Sequence, residues 1–118
     1  WTDFTITNSG PLRNCYAASG CALSINTDTT GSLTSVRSCS SVADCLLYLD
    51  TQTTSALRSR YIHTVTSNPT PFTRIIRMQN VSSNEVSVVS TVTWRSGFSR
   101  DAQTVSVQTS LFNVYDND

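Results

Sequence analysis

Two stretches of two-residue alternation constrain what this chain can fold into. Glu85–Trp94 reads EVSVVSTVTW, with Val86, Val88, Val92 and Trp94 on one face and Ser87, Thr91 and Thr93 on the other. Gln103–Val114 reads QTVSVQTSLFNV, where Val105, Val107 and Leu111 point one way and Thr104, Ser106, Gln108 and Ser110 the other. A period of two belongs to strands whose two faces meet different surroundings. Ser96-Gly97 predicts a hairpin turn between them, and Ser82-Ser83-Asn84 another, leading back to Phe72–Val81. Arg60–Thr66 alternates more weakly and ends at Asn68-Pro69, where proline favours a break. The expectation is a mainly β chain with an antiparallel meander of three to four strands over 57–115, one face buried and one wet. Its candidate core is Phe72, Ile76, Val88, Val92, Trp94, Val105, Val107 and Leu111.

The first half carries no such period. Turn formers recur at Asn8-Ser9-Gly10-Pro11, Ser19-Gly20, Asn26-Thr27-Asp28 and Thr30-Gly31, so residues 1–36 read as irregular. Short extended pieces fit Phe4–Thr7 and Ala22–Ile25. Ser41-Val42-Ala43-Asp44 suits a helical turn, and Leu46-Leu47-Tyr48-Leu49 a buried strand. Thr51–Ser55 then makes a polar connection. The reading is one domain, 1–118, with a loop-rich region over 1–56. No good amphipathic helix is present, although a three-stranded sheet needs its apolar face covered. That face reads as built to pack on an element absent from this sequence.

Four cysteines, at 15, 21, 39 and 45, give two C-x5-C pairs. Zinc knuckles set paired ligands two to four residues apart, and no C-x-x-C redox motif occurs. Two disulfides formed outside the cytoplasm are expected, with three connectivities open. The local pairing, Cys15–Cys21 and Cys39–Cys45, is preferred because each closes a small loop.

Composition narrows the function classes. Ser and Thr together supply 37 residues, while charged residues make up only 14%. Eight Arg balance eight acids and there is no Lys, which argues against nucleic acid as a partner. Arg58 with Arg60, and Arg74 with Arg77, read as strand faces in solvent. No run of apolar residues is long enough to span a membrane. The chain opens on Trp1 rather than Met, which reads as a removed targeting segment or a truncated start.

Catalytic parts are sparse. His63 is the only histidine and reads as a strand-surface or partly packed side chain. Ser-His-Asp chemistry has no specific signature here, and G-x-S-x-G, H-E-x-x-H and phosphate-binding glycine loops are missing. Glu85 is the only glutamate. Asp116-Asn117-Asp118 offers oxygens to calcium without the glycine turn or the bidentate Glu of a calcium loop. Asn80-Val81-Ser82 matches the N-glycosylation acceptor by chance. The expectation is a non-enzyme without cofactor or metal. A disulfide-stabilised binding module is the second reading, with Arg13, Tyr16 and Arg37 presented by loops 8–45 to a surface glycan or protein receptor.

The meander residues resemble the C-terminal half of minor pilins of type IV pili and the related minor pseudopilins of type II secretion. The resemblance rests on Phe72-Thr73-Arg74; Val88, Val92 and Trp94; Gly97 and Arg100; and Val105, Val107, Thr109, Leu111 and Asn113. It covers about Pro71–Val114, and Trp1 with Asp3 resembles the point where that family's long N-terminal helix gives way to the head. The four-cysteine region has no counterpart in it. The resemblance implies a pilin-like globular head acting as a structural subunit of a pilus or pseudopilus. Its partners would be other pilin or pseudopilin subunits, with a host or neighbour-cell receptor where it sits at a tip. Membrane contact would come only through the missing helix, in a precursor held in the cytoplasmic membrane. Trp1 would pack at the helix–head junction.

Overall fold

The computed structural model describes residues 1–25, 33–50, 60–98 and 101–114. The turn formers at 26–31, the polar stretch at 51–55, Arg58, Arg100 and the tail at 116–118 lie outside them. One antiparallel sheet organises the chain. Its strands are β1 (Cys21–Ile25), β2 (Leu33–Ser38), β3 (Leu46–Leu49), β4 (Tyr61–Ile62), β5 (Pro69–Ser82), β6 (Glu85–Trp94) and β7 (Gln103–Phe112). Two single-turn helices, α1 (Thr2–Thr5) and α2 (Arg13–Tyr16), and a 3-10 turn at Val42–Cys45 complete it.

The alternating second half forms the expected meander. β6 pairs with β7 in unbroken register from Glu85↔Phe112 to Trp94↔Gln103, and with β5 from Ser82↔Glu85 to Thr73↔Thr93 with one register shift between Asn80 and Ser82. Paired residues share a face, so Ile76, Met78, Val86, Val88, Val92, Val105, Val107 and Leu111 line one side.

The opposite edge of β5 is divided. Its middle pairs with β1 at Cys21↔Ile76, and β1 carries β2 as a hairpin; its start pairs with β3 at Leu46↔Thr73 and Tyr48↔Pro69, and β3 carries β4. Pro69 and Pro71 have no N–H for β3. Threonine hydroxyls replace them: Thr70 Oγ1 donates to Leu47 O at 2.6 Å and Thr66 Oγ1 to Leu49 O at 2.8 Å. The first half is therefore more ordered than its composition predicts. β1 covers the expected extended piece Ala22–Ile25, while β2 is a strand where mostly irregular structure is expected; Phe4 and Thr5 of the expected extended piece Phe4–Thr7 lie in α1, and only Tyr61–Ile62 of Arg60–Thr66 is a strand. The 3-10 turn and β3 fall where the sequence placed them.

Both local disulfides are present, Cys15–Cys21 and Cys39–Cys45, and no cysteine is free. They point to an oxidising compartment. Among the described residues no helix is long and apolar enough to cross a membrane.

The core is small and off-centre. Leu12, Cys15, Cys21, Met78 and Val86 are buried together, with Tyr16, Leu23, Val36, Ile76 and Val88 packed around them. α2 and the first disulfide thus cover the half of the apolar face nearest the β5–β6 turn. The rest of that face is open, which corrects the expected core. Val105 is 52% and Val107 65% exposed, and Phe72, Ile76, Val88, Val92, Trp94 and Leu111 are only half-buried. Register puts Val105 and Val107 on the same face as the buried Met78 and Val86, but no described element lies over the β7 side. The accessible surface of 7893 Å² exceeds the roughly 6300 Å² that size scaling gives for a compact protein of this mass.

Candidate functional site

α2 positions the first two candidate binding residues. Leu12 and Cys15 are buried, and that anchoring turns Arg13 and Tyr16, three positions apart on the same turn, to one side of the helix. There they line a groove of about 520 Å³ with Thr7, Asn8, Met78 and Asn80. Tyr16 Oη donates to Asn80 Oδ1 at 3.2 Å, and Asn80 Nδ2 donates to Thr5 O at 3.1 Å. One asparagine therefore ties α1, α2 and β5 together. Burial raises the Tyr16 hydroxyl above its ordinary pKa, so it stays protonated and able to donate. A guanidinium, a phenol and two amide side chains around an apolar Met78 floor can hydrogen-bond and stack on a polar ligand.

Arg37 is not part of this groove. It lies on β2 and its Nη2 donates to His63 O at 2.9 Å, bracing the β4 end of the chain against the β1–β2 hairpin. The three arginine and tyrosine candidates thus separate into a groove pair and a structural tie.

His63 is buried, only 1% exposed, so of its two readings, strand-surface or partly packed, the packed one holds and goes further than expected. Its Nδ1 lies 3.3 Å from Leu46 O; the carbonyl can only accept, so Nδ1 carries the proton. Burial first, then the Arg74 charge, lowers its pKa to about 4, with Arg37 adding to the effect and the Leu46 carbonyl opposing it. Its Nε2 has no hydrogen-bond partner among the described residues, so no described carboxylate or hydroxyl is bonded to that side of the ring. Among the described residues no three His, Cys, Asp or Glu side chains gather to hold a metal.

The aromatic residues mark the other end of the sheet. Phe72 stands 5.9 Å from Trp94 and 5.8 Å from Tyr61, ring centre to ring centre, beside the open Val92–Val105 stretch. Trp1 sits at the opposite end, where its Nε1 donates to Ser83 O at 3.0 Å in the β5–β6 turn.

Asn80 was legible only as part of a chance glycosylation triplet, and its place in the groove was not. Nothing in the sequence marks Thr7, Asn8 or Met78 as groove residues, since the groove depends on α2 folding back onto a part of β5 far along the chain, a contact no local pattern encodes. Compared with protein-family models, curated proteins and solved structures, the chain shows no match to any of them.

Proposed function

We propose that this chain is the head of a filament subunit of the minor pilin or pseudopilin kind, acting through subunit–subunit contacts and catalysing nothing. The observation that carries this reading is the half-covered sheet. One apolar face is finished at the β5–β6 turn by α2, half-covered at Val92 and left open over Val105 and Val107. An antiparallel sheet of this kind needs an apolar cover from outside itself. The resemblance of the meander to that family supplies one, since a long helix laid along β6 and β7 would cover the open stripe and end beside Trp1. Neutral net charge, a hydroxyl-rich surface and two disulfides suit an exported assembly part.

A second reading has its own observation in its favour. The Arg13–Tyr16–Asn80 groove is a ready polar site, and an adhesin would use it to hold a glycan. The two readings are separated by offering the immobilised domain the pilin and pseudopilin subunits of its own organism, with cell-surface glycans as parallel bait. Capture of pilin heads is the expected outcome. Glycan capture that Arg13→Ala or Tyr16→Ala abolishes, without any pilin capture, would replace the filament reading with the adhesin one.

A further inference from the structure

The outer edge of β7 is a ten-residue strand that no described residue pairs with. Exposed edges are ordinarily blunted by Lys, Pro, a bulge or a short strand, because their free N–H and C=O groups template another chain. β7, QTVSVQTSLF, contains no charge, no proline and no glycine, and its register with β6 is free of bulges.

The direction of its backbone groups follows from one bond. Asn113 N–H donates to Asn84 O at 2.9 Å, continuing the ladder one step beyond Glu85↔Phe112. Antiparallel ladders alternate, so Val105, Val107, Thr109 and Leu111 bond inward to β6. Thr104, Ser106, Gln108, Ser110 and Phe112 turn their N–H and C=O groups outward.

We propose that this edge is a self-association surface, on which β7 pairs antiparallel with β7 of a second copy about a two-fold axis at Gln108. Two conditions select the occupant and the register. Keeping the Val105–Val107 stripe of both copies on one side requires odd residues to face odd residues and even to face even. Among such registers, the one centred on Gln108 uses every outward-facing residue, pairing Thr104 with Phe112, Ser106 with Ser110, and Gln108 with its own copy. On the apolar side it sets Val105 beside Leu111 and Val107 beside Thr109 of the second copy. No like charges meet, and two chains of zero net charge do not repel as wholes. An arbitrary extended peptide would satisfy the backbone groups but not this side-chain matching. The interface is isologous, as a closed dimer requires. The inference does not rest on the filament reading; it concerns the free chain.

The test is sedimentation velocity over a concentration series, with residue-resolved amide exchange on the same samples. The expected result is a concentration-dependent dimer in which the amides of Thr104, Ser106, Gln108, Ser110 and Phe112 become protected. Those of Val105, Val107, Thr109 and Leu111 are protected at every concentration. Gln108→Lys sets two ammonium groups face to face at the axis and should weaken the dimer by about tenfold or more, with the strand signal unchanged. Gln108→Pro removes an outward N–H without taking a bond from β6, and should give a monomer. A chain monomeric at all concentrations overturns the proposal. So does a dimer indifferent to Gln108→Lys, or outward amides already protected in the monomer, which would mean the chain covers its own edge.

Discussion

His63 stands out among single residues because burial has removed its usual chemistry. Its folded pKa, near 4, lies below the unfolded value of 6.5, so folding favours the neutral ring. The stabilisation this reflects is fully present above pH 6.5 and is lost as pH falls through 6.5 toward 4, by on the order of 3 kcal/mol. As the only histidine, its ring carbon resonances are unambiguous. They should stay in the neutral position down to about pH 5 in the folded chain; a titration midpoint near 6.5 would place the ring in solvent. Gly20 constrains the fold as tightly. Its φ is +72°, and a Cβ there would stand 2.5 Å from Ile75 Cγ2 and 2.8 Å from Ile76 O. Gly20→Ala should therefore cost about 2–4 kcal/mol in a urea titration, and a loss below about 0.5 would contradict the close approach to β5. Trp94 is half-buried against Phe72, so Trp94→Ala should cost about 1–2 kcal/mol in the free chain, short of a full core truncation.

At the scale of elements, the two disulfides are a natural comparison. Both close loops of the same sequence separation, 6, so each constrains the unfolded chain by a similar amount, about 2–3 kcal/mol. They differ in what surrounds them. Cys15 and Cys21 are both in the core and fix α2 over the sheet, whereas Cys39 is only half-buried. Replacing the first pair by alanine should cost more than replacing the second, and should open the Arg13–Tyr16 groove; equal losses would mean that core packing adds nothing to the first. The elements also divide by how far the sequence reveals them. β6 and β7 are legible because their alternation is local and period-two. β1 is legible only as a short extended piece at Ala22–Ile25, and β2 is not, since LTSVRS mixes hydroxyl and apolar residues without a clean period and the β1–β2 hairpin is placed by β5 far along the chain. The local disulfide pairing was legible from loop size, while the divided edge of β5 was not, because it is set by strand lengths that only tertiary contacts decide.

For the whole molecule the informative residues are Val105 and Val107. Their phase assigns a face, and the structure agrees with that face, but phase says nothing about whether anything lies over it. A sequence pattern records which side of a strand is apolar, and cover is a property of the assembly. The chain thus carries a finished groove near the β5–β6 turn, an unfinished apolar stripe along β6 and β7, and an open edge on β7. The filament reading depends on the stripe rather than on the groove or the edge. Capture of the pilin or pseudopilin subunits of the same organism should therefore be compared between the parent chain and Val107→Asp, whose charge enters an already solvent-exposed position and should leave the fold intact. The expected result is capture by the parent and its loss in the variant, with Arg13→Ala behaving as the parent; no capture by the parent, or capture that Val107→Asp leaves untouched, would contradict the account.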